Sequence, residues 1–125
     1  MKKKRYILLG VLIVFGIILF DVTNVKLDEL PKGKFLSEHS SPFNDNVAKA
    51  YLIDDGGATV RASIRVEVGD GSEAETIYWN YDESSVNIKW LDKETIEING
   101  HILNIYDETY HWKDDPDWEK NRGKY

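Results

Sequence analysis

The chain contains no cysteine. That absence removes disulfide frameworks, thiolate metal sites, cysteine nucleophiles and attachment through a lipidated cysteine. Basic residues are in the minority, with 16 Lys and Arg against 22 Asp and Glu and a formal charge of −6. Nucleic-acid binding needs a basic footprint, so no nucleic-acid partner is expected. No Gly-rich phosphate loop and no Gly-x-Ser-x-Gly elbow occur, and nothing in the residues calls for a cofactor. Low-complexity tracts are missing too. With 42% hydrophobic and 30% charged residues in 125, the composition is that of a folded chain with one globular domain.

Met1 is followed by Lys2, Lys3, Lys4 and Arg5, and then by an uncharged run from Tyr6 to Phe20. As a helix, fifteen residues reach about 22 Å, short of a hydrocarbon core of about 30 Å. Lys4, Arg5 and Lys26 can snorkel, and Val22 and Val25 extend the apolar stretch. A secretory signal has a similar apolar length, but no small-x-small cleavage pattern follows Phe20. The expectation is a retained single-pass anchor at the cell membrane. The basic end, residues 1–21 with the span, starts in the cytoplasm, and the rest of the chain lies outside it. Residues 22–33 read as a tether, 34–112 as an extracytoplasmic β domain, and 113–125 as an acidic, then basic, flexible tail. The first twenty residues hold four bases and no acid, so residues 21–125 carry a net charge of −10.

From Lys34 onward the pattern is strand-like. Val60, Ala62, Ile64, Val66 and Val68 alternate with Thr59, Arg61, Ser63, Arg65 and Glu67, as in a half-buried strand over Thr59–Val68. Val47–Ile53 reads as its partner, across the turn residues Asp54, Asp55, Gly56 and Gly57. Residues 76–81 and 86–91 suggest a hairpin around Asp82–Ser85. In it Ile77, Trp79 and Tyr81 would share one face, against Val86, Ile88 and Trp90. Thr95–Ile98, Asn99-Gly100 and His101–Ile105 predict a two-residue hairpin that pairs Ile98 with His101 and Ile96 with Leu103. Further strands are expected at Lys34–Glu38 and Thr109–Trp112. The fold class is therefore all-β, a small antiparallel meander formed as a sandwich or partly open barrel behind one N-terminal transmembrane helix.

The chemistry candidates are few. Tyr78 is expected to face away from Trp79 and Tyr81, and Tyr110 and Trp112 to share a face of the last strand. Exposed aromatics beside Asp and Asn suit stacking on a glycan or a peptide. Arg61 and Arg65 lie about 13 Å apart on one strand face and can take an anionic ligand, unless nearby acids pair with them. Asp107, His111 and Asp114, with Asp115 and Asp117 close by, offer carboxylate and imidazole to a divalent ion, although their order matches no calcium loop. No catalytic residue is assigned.

Gly56-Gly57-Ala58-Thr59-Val60, Ile77-Tyr78-Trp79-Asn80-Tyr81, Trp90-Leu91-Asp92 and Thr95–Gly100 together resemble an uncharacterised family of small membrane-anchored Gram-positive bacterial proteins, a domain of unknown function. The resemblance covers roughly Leu30 to Trp112. It implies one N-terminal hydrophobic segment with a compact domain behind it, and it brings no known activity. The expected function is a non-enzymatic binding or accessory module at the cell surface, with a surface protein or glycan as partner. The alternatives are an immunity factor that captures a basic toxin and a cell-wall-directed hydrolase.

Overall fold

A computed structural model describes residues 25–54, 60–71 and 73–122, and strands are their main regular element. The chain divides between Leu30 and Pro31 into two units. In the first, the described part holds a 3-10 turn at Leu27–Glu29. The apolar run Tyr6–Phe20 lies outside the described residues. Among the described residues no helix is long and apolar enough to cross a membrane.

The second unit contains two sheets. The larger has five strands in the order β1-β2-β3-β4-β8: β1 Lys34–Ser40, β2 Val47–Ile53, β3 Ser63–Gly69, β4 Ala74–Tyr81 and β8 Tyr110–His111. The first four form an antiparallel meander. β8 returns to pair with β4 in parallel, with Tyr78 opposite Tyr110 and Trp79 opposite His111. The smaller sheet joins β5 Ile88–Trp90, β6 Thr95–Ile98 and β7 His101–Asn104 in sequence order. An all-β fold is thus observed, built as two sheets, with one parallel pair where a purely antiparallel meander is expected.

Both sheets contribute to one core. Ala48, Ala50, Ile64, Val66, Val68, Ile77 and Tyr78 enter it from the larger sheet, and Ile88, Trp90, Ile96, Ile98 and Leu103 from the smaller. The alternation in β3 places Ile64, Val66 and Val68 inward, as a half-buried strand requires. Thr59 lies outside the described residues, and the strand starts at Ser63, later than the alternation suggests. The Asn99-Gly100 hairpin forms in the expected register. Both turn residues have positive φ, +47° and +86°, as a type I′ turn requires.

The expected hairpin over residues 76–91 does not form. β4 and β5 belong to different sheets, and the stretch between them is a crossover. In β4, Tyr78 does face away from Trp79 and Tyr81, but Ile77 does not share the face of Trp79 and Tyr81, for an identifiable reason. A β-bulge shifts the β3–β4 register between Val66 and Glu67, so that Val66 opposes Tyr78 and Glu67 opposes Thr76. The bulge leaves Ile77 unpaired and turns Ile77 and Tyr78, neighbours in sequence, both into the core. After the bulge Trp79 and Tyr81 point to the outer face, where Trp79 is buried under other side chains rather than in the main core.

On that outer face one lateral row spans all five strands. Phe35, Tyr51, Arg65, Trp79 and His111 are successive partners across all five strands. Phe35 meets the Tyr51 ring edge-on at 5.9 Å, the Arg65 guanidinium lies 4.3 Å above the same ring, and His111 meets Trp79 edge-on at 4.9 Å. Gly33 lets the entering chain approach β2. Its φ is +81°, and a Cβ there would sit 2.6 Å from the Leu52 carbonyl oxygen. The close passage delivers the Lys32 carbonyl to Arg65, at 3.0 and 3.3 Å from two of its nitrogens.

Candidate functional site

At one end of the shared core lies a group of buried polar side chains. β4 ends at Tyr81, and Asp82 turns the chain with φ +59°, a conformation that Asp tolerates better than most residues. The turn sends Glu83 back inside, where it is 7% exposed. The Tyr78 hydroxyl donates to Glu83 Oε1 at 2.6 Å, and the Asn80 amide donates to Oε2 at 2.8 Å. Asn99, from the β6–β7 turn, adds a further hydrogen bond. Burial raises the Glu83 pKa, and these three donors work against that rise. Burial beside the Glu83 carboxylate also pushes the Tyr78 hydroxyl far above its usual range, so it stays neutral, donating to Glu83 and accepting from the Asn80 amide.

A second polar group backs onto the first through aromatic rings. Tyr78 stacks on Tyr110 at 5.3 Å, and Tyr110 lies 4.0 Å from the His101 ring. The Tyr110 hydroxyl donates to Asp115 at 2.7 Å, which holds the Asp115 carboxyl below the ordinary carboxylate range. Burial lowers the His101 pKa, opposed by the Asp115 charge. The phenols of Tyr78 and Tyr110 and the His101 imidazole thus come from β4, β8 and β7, and the Glu83 and Asp115 carboxyls from the segments after β4 and after the 3-10 turn Trp112–Asp114. The cavity among them is about 10 Å³, room for at most one water.

The C-terminal turn covers this group. Trp118–Asn121 form one helical turn, where the sequence pattern suggests an unstructured tail. The Trp118 indole donates to Asn80 Oδ1 at 2.9 Å. Arg122 donates to Asp82 through two nitrogens, at 2.8 and 3.1 Å, and stands 5.0 Å over the Trp118 ring. Below the turn Trp112, Trp118 and Tyr81 pack together, with ring centres 4.8–6.1 Å apart. Among the described residues Trp112 Nε1 is the buried side-chain donor that lacks an acceptor.

Several expected site residues sit elsewhere. Tyr78 is fully buried instead of facing solvent: it faces away from Trp79 and Tyr81, but that side of the sheet is the core side. Arg65 is 5% exposed and engaged by Glu67, Thr76 and the Lys32 carbonyl, so acids and backbone fill the place of an anionic ligand. Arg61 remains exposed and pairs with Asp82 at 3.4 Å. Tyr110 and Trp112 do not share a face: Tyr110 packs toward Tyr78, whereas the strand ends at His111 and Trp112 begins a 3-10 turn on the outer side. Asp107, His111 and Asp114 do not converge, and no group of three potential metal ligands is found among the described residues. His111 instead accepts from the Lys113 amide and packs against Trp79.

Sequence reasoning missed Glu83, Asn80 and Asn99 because nothing in a polar turn announces that its carboxylate is buried. Trp118 was detectable in principle. A Trp within a charged stretch has a large apolar area that seeks cover.

Comparison with known proteins adds a single finding. Residues 2–115 match the group described as Family of unknown function (DUF5412), and the chain belongs to that family. No curated protein and no solved structure matches the chain.

Proposed function

We propose, for this member of a family without an assigned activity, a non-catalytic binding module held at a membrane. In this reading Tyr6–Phe20 is a single-pass anchor with the basic end in the cytoplasm and the β domain outside. The observation that carries the non-catalytic part is the filled state of the buried polar group. Glu83 and Tyr78 spend their hydrogen bonds on each other and on the Asn80 amide, and Asn80 Oδ1 is taken by the Trp118 indole. The space left, about 10 Å³, is far below the roughly 300 Å³ at which small-molecule pockets begin. The anchor part is supported by the run of uncharged residues after Lys2–Arg5, in keeping with the positive-inside rule.

Two experiments test this reading. Protease added to intact cells should remove the domain; removal only after permeabilisation would overturn the outward topology. Capture of a partner from membrane and wall fractions by the purified chain tests the binding role. Turnover of wall sugars or peptides by the same preparation would replace it with the hydrolase reading. A second reading is favoured by charge. Residues 21–125 carry −10, which suits electrostatic capture of a basic protein such as a toxin. Binding that weakens steeply with salt would favour it over a neutral glycan.

A further inference from the structure

The residues that cover the buried polar group differ in kind from those that receive them. Asn80, Tyr81 and Asp82 lie within residues 2–115, which the family model matches, and Trp118 and Arg122 lie past the end of that match. The match thus covers the receiving surface and stops before its occupant. The occupant is also small. One helical turn of four residues is far below the length at which a helix holds itself together, so its shape depends on the two side chains that grip the domain. Those two, Trp118 and Arg122, are four residues apart and project from one side of the turn. Trp and Arg are also the side chains that dominate binding energy at protein interfaces.

We propose that this end of the domain is a receptor site for a partner's helical segment bearing an aromatic residue and an arginine one turn apart. The chain's own tail occupies the site until such a segment displaces it. Each element of recognition is visible in the present occupant. Asn80 Oδ1 accepts an indole N–H, the Asp82 carboxylate accepts a two-pronged guanidinium, and the Tyr81 and Trp112 rings flank the aromatic. An empty site would leave the Asn80 carbonyl without its partner. The tail is nevertheless an incomplete occupant, because the Trp112 indole N–H beneath it finds no acceptor, and a partner's carbonyl can supply one. The net negative charge of the domain favours an incoming cation. This inference rests on the reading of the domain as a binding module and names the site and the chemistry of the partner.

The test uses the full chain in mild detergent and a fluorescent peptide with the sequence of residues 115–122. A short tether holds the tail at an effective concentration of about millimolar, so the unmodified chain should bind the peptide weakly. The double variant Trp118→Ala, Arg122→Ala should bind it at least about tenfold more tightly. Adding Asp82→Asn to that variant should reverse the gain, and a peptide with Ala at both anchor positions should not bind. If the double variant keeps its circular dichroism spectrum yet binds no better than the parent chain, the proposal is wrong. Should it lose its fold, Arg122→Ala alone must show the same gain in smaller measure, and no gain again overturns the proposal. Protease protection reads location and is independent of these results, so loss of one claim is distinguishable from loss of the other.

Discussion

Residues 95–104 close on themselves across Asn99 and Gly100, whereas residues 74–90 send their two strands into different sheets. Both stretches join apolar strands through a few polar residues. They differ in what the connecting residues do. At 99–100 two consecutive positive φ angles reverse the chain in place. Between 82 and 87 only Asp82 has a positive φ, and Glu83 turns inward to Tyr78 and Asn80. The rest of that stretch then crosses to the second sheet. It is fastened there by the hairpin turn itself, since the Asn99 side chain donates to the Ser85 carbonyl and accepts from the Asn87 amide. A tight turn is specified by neighbours in sequence. A crossover is specified by what its side chains find inside.

The largest expected effect breaks the local half of this comparison at its buried face. Ile98 is fully buried in the shared core. Ile98→Ala should cost about 3–4 kcal/mol, the transfer term plus a cavity that the rigid hairpin cannot close. Denaturant unfolding with an unchanged slope would read it. A loss under about 1 kcal/mol would mean that the second sheet is not part of the cooperative core.

The non-local half breaks at Glu83. Glu83→Ala leaves the Tyr78 hydroxyl and the Asn80 amide buried without their acceptor and should cost about 2–3 kcal/mol. Glu83→Gln retains one acceptor oxygen and should cost roughly half as much. Equal losses for the two variants would show that the intact carboxylate, which neither variant keeps, is what matters at this position, rather than the side chain's volume or a single acceptor oxygen.

These two sites also mark how far the fold was legible. Patterns with a local cause were readable: the alternation in β3, the Asn-Gly turn and its register, and an all-β architecture from short strands and turn residues. Two features with a distant cause were not. The bulge opposite Val66 and Glu67 changes which residues of β4 face inward, and neither Ile77 nor Tyr78 carries a local mark of it. The buried polar group draws on β4, the crossover and the β6–β7 turn, which meet only in three dimensions. Among the expected site residues, Tyr78 and Tyr110 do belong near this group, but as packed members of it rather than as an open platform. Glu83 appeared only as a turn residue.

A smaller effect sharpens the contrast between the two connections. Gly100→Ala forces an L side chain to φ +86° and should cost about 1 kcal/mol. Ser84→Ala, at an exposed position in the crossover, should change stability by less than about 0.5 kcal/mol. Thermal unfolding of the two variants side by side separates them. A Ser84 variant as damaging as the Gly100 variant would show that the crossover also depends on local turn chemistry.

The smallest effect is the pH dependence of Glu83, because hydrogen bonds from Tyr78, Asn99 and Asn80 offset part of its burial. Its pKa is raised in the folded state, so the folded chain holds that proton to higher pH than the unfolded chain does. Well below the ordinary carboxylate range both states are protonated, and the group contributes no slope. As pH rises from the unfolded value to the raised folded value, the unfolded chain releases its proton first and stability falls. Above that window the deficit stays constant. Asp115 acts in the opposite direction, since its lowered pKa adds stability as pH rises through the acid end of the carboxylate range. Stability measured against pH in the parent chain and in Glu83→Gln should therefore differ by a component that declines with rising pH and then levels off. A difference that grows with pH would mean that the hydrogen bonds to the carboxylate outweigh its burial, and that Glu83 holds the crossover as a charged anchor.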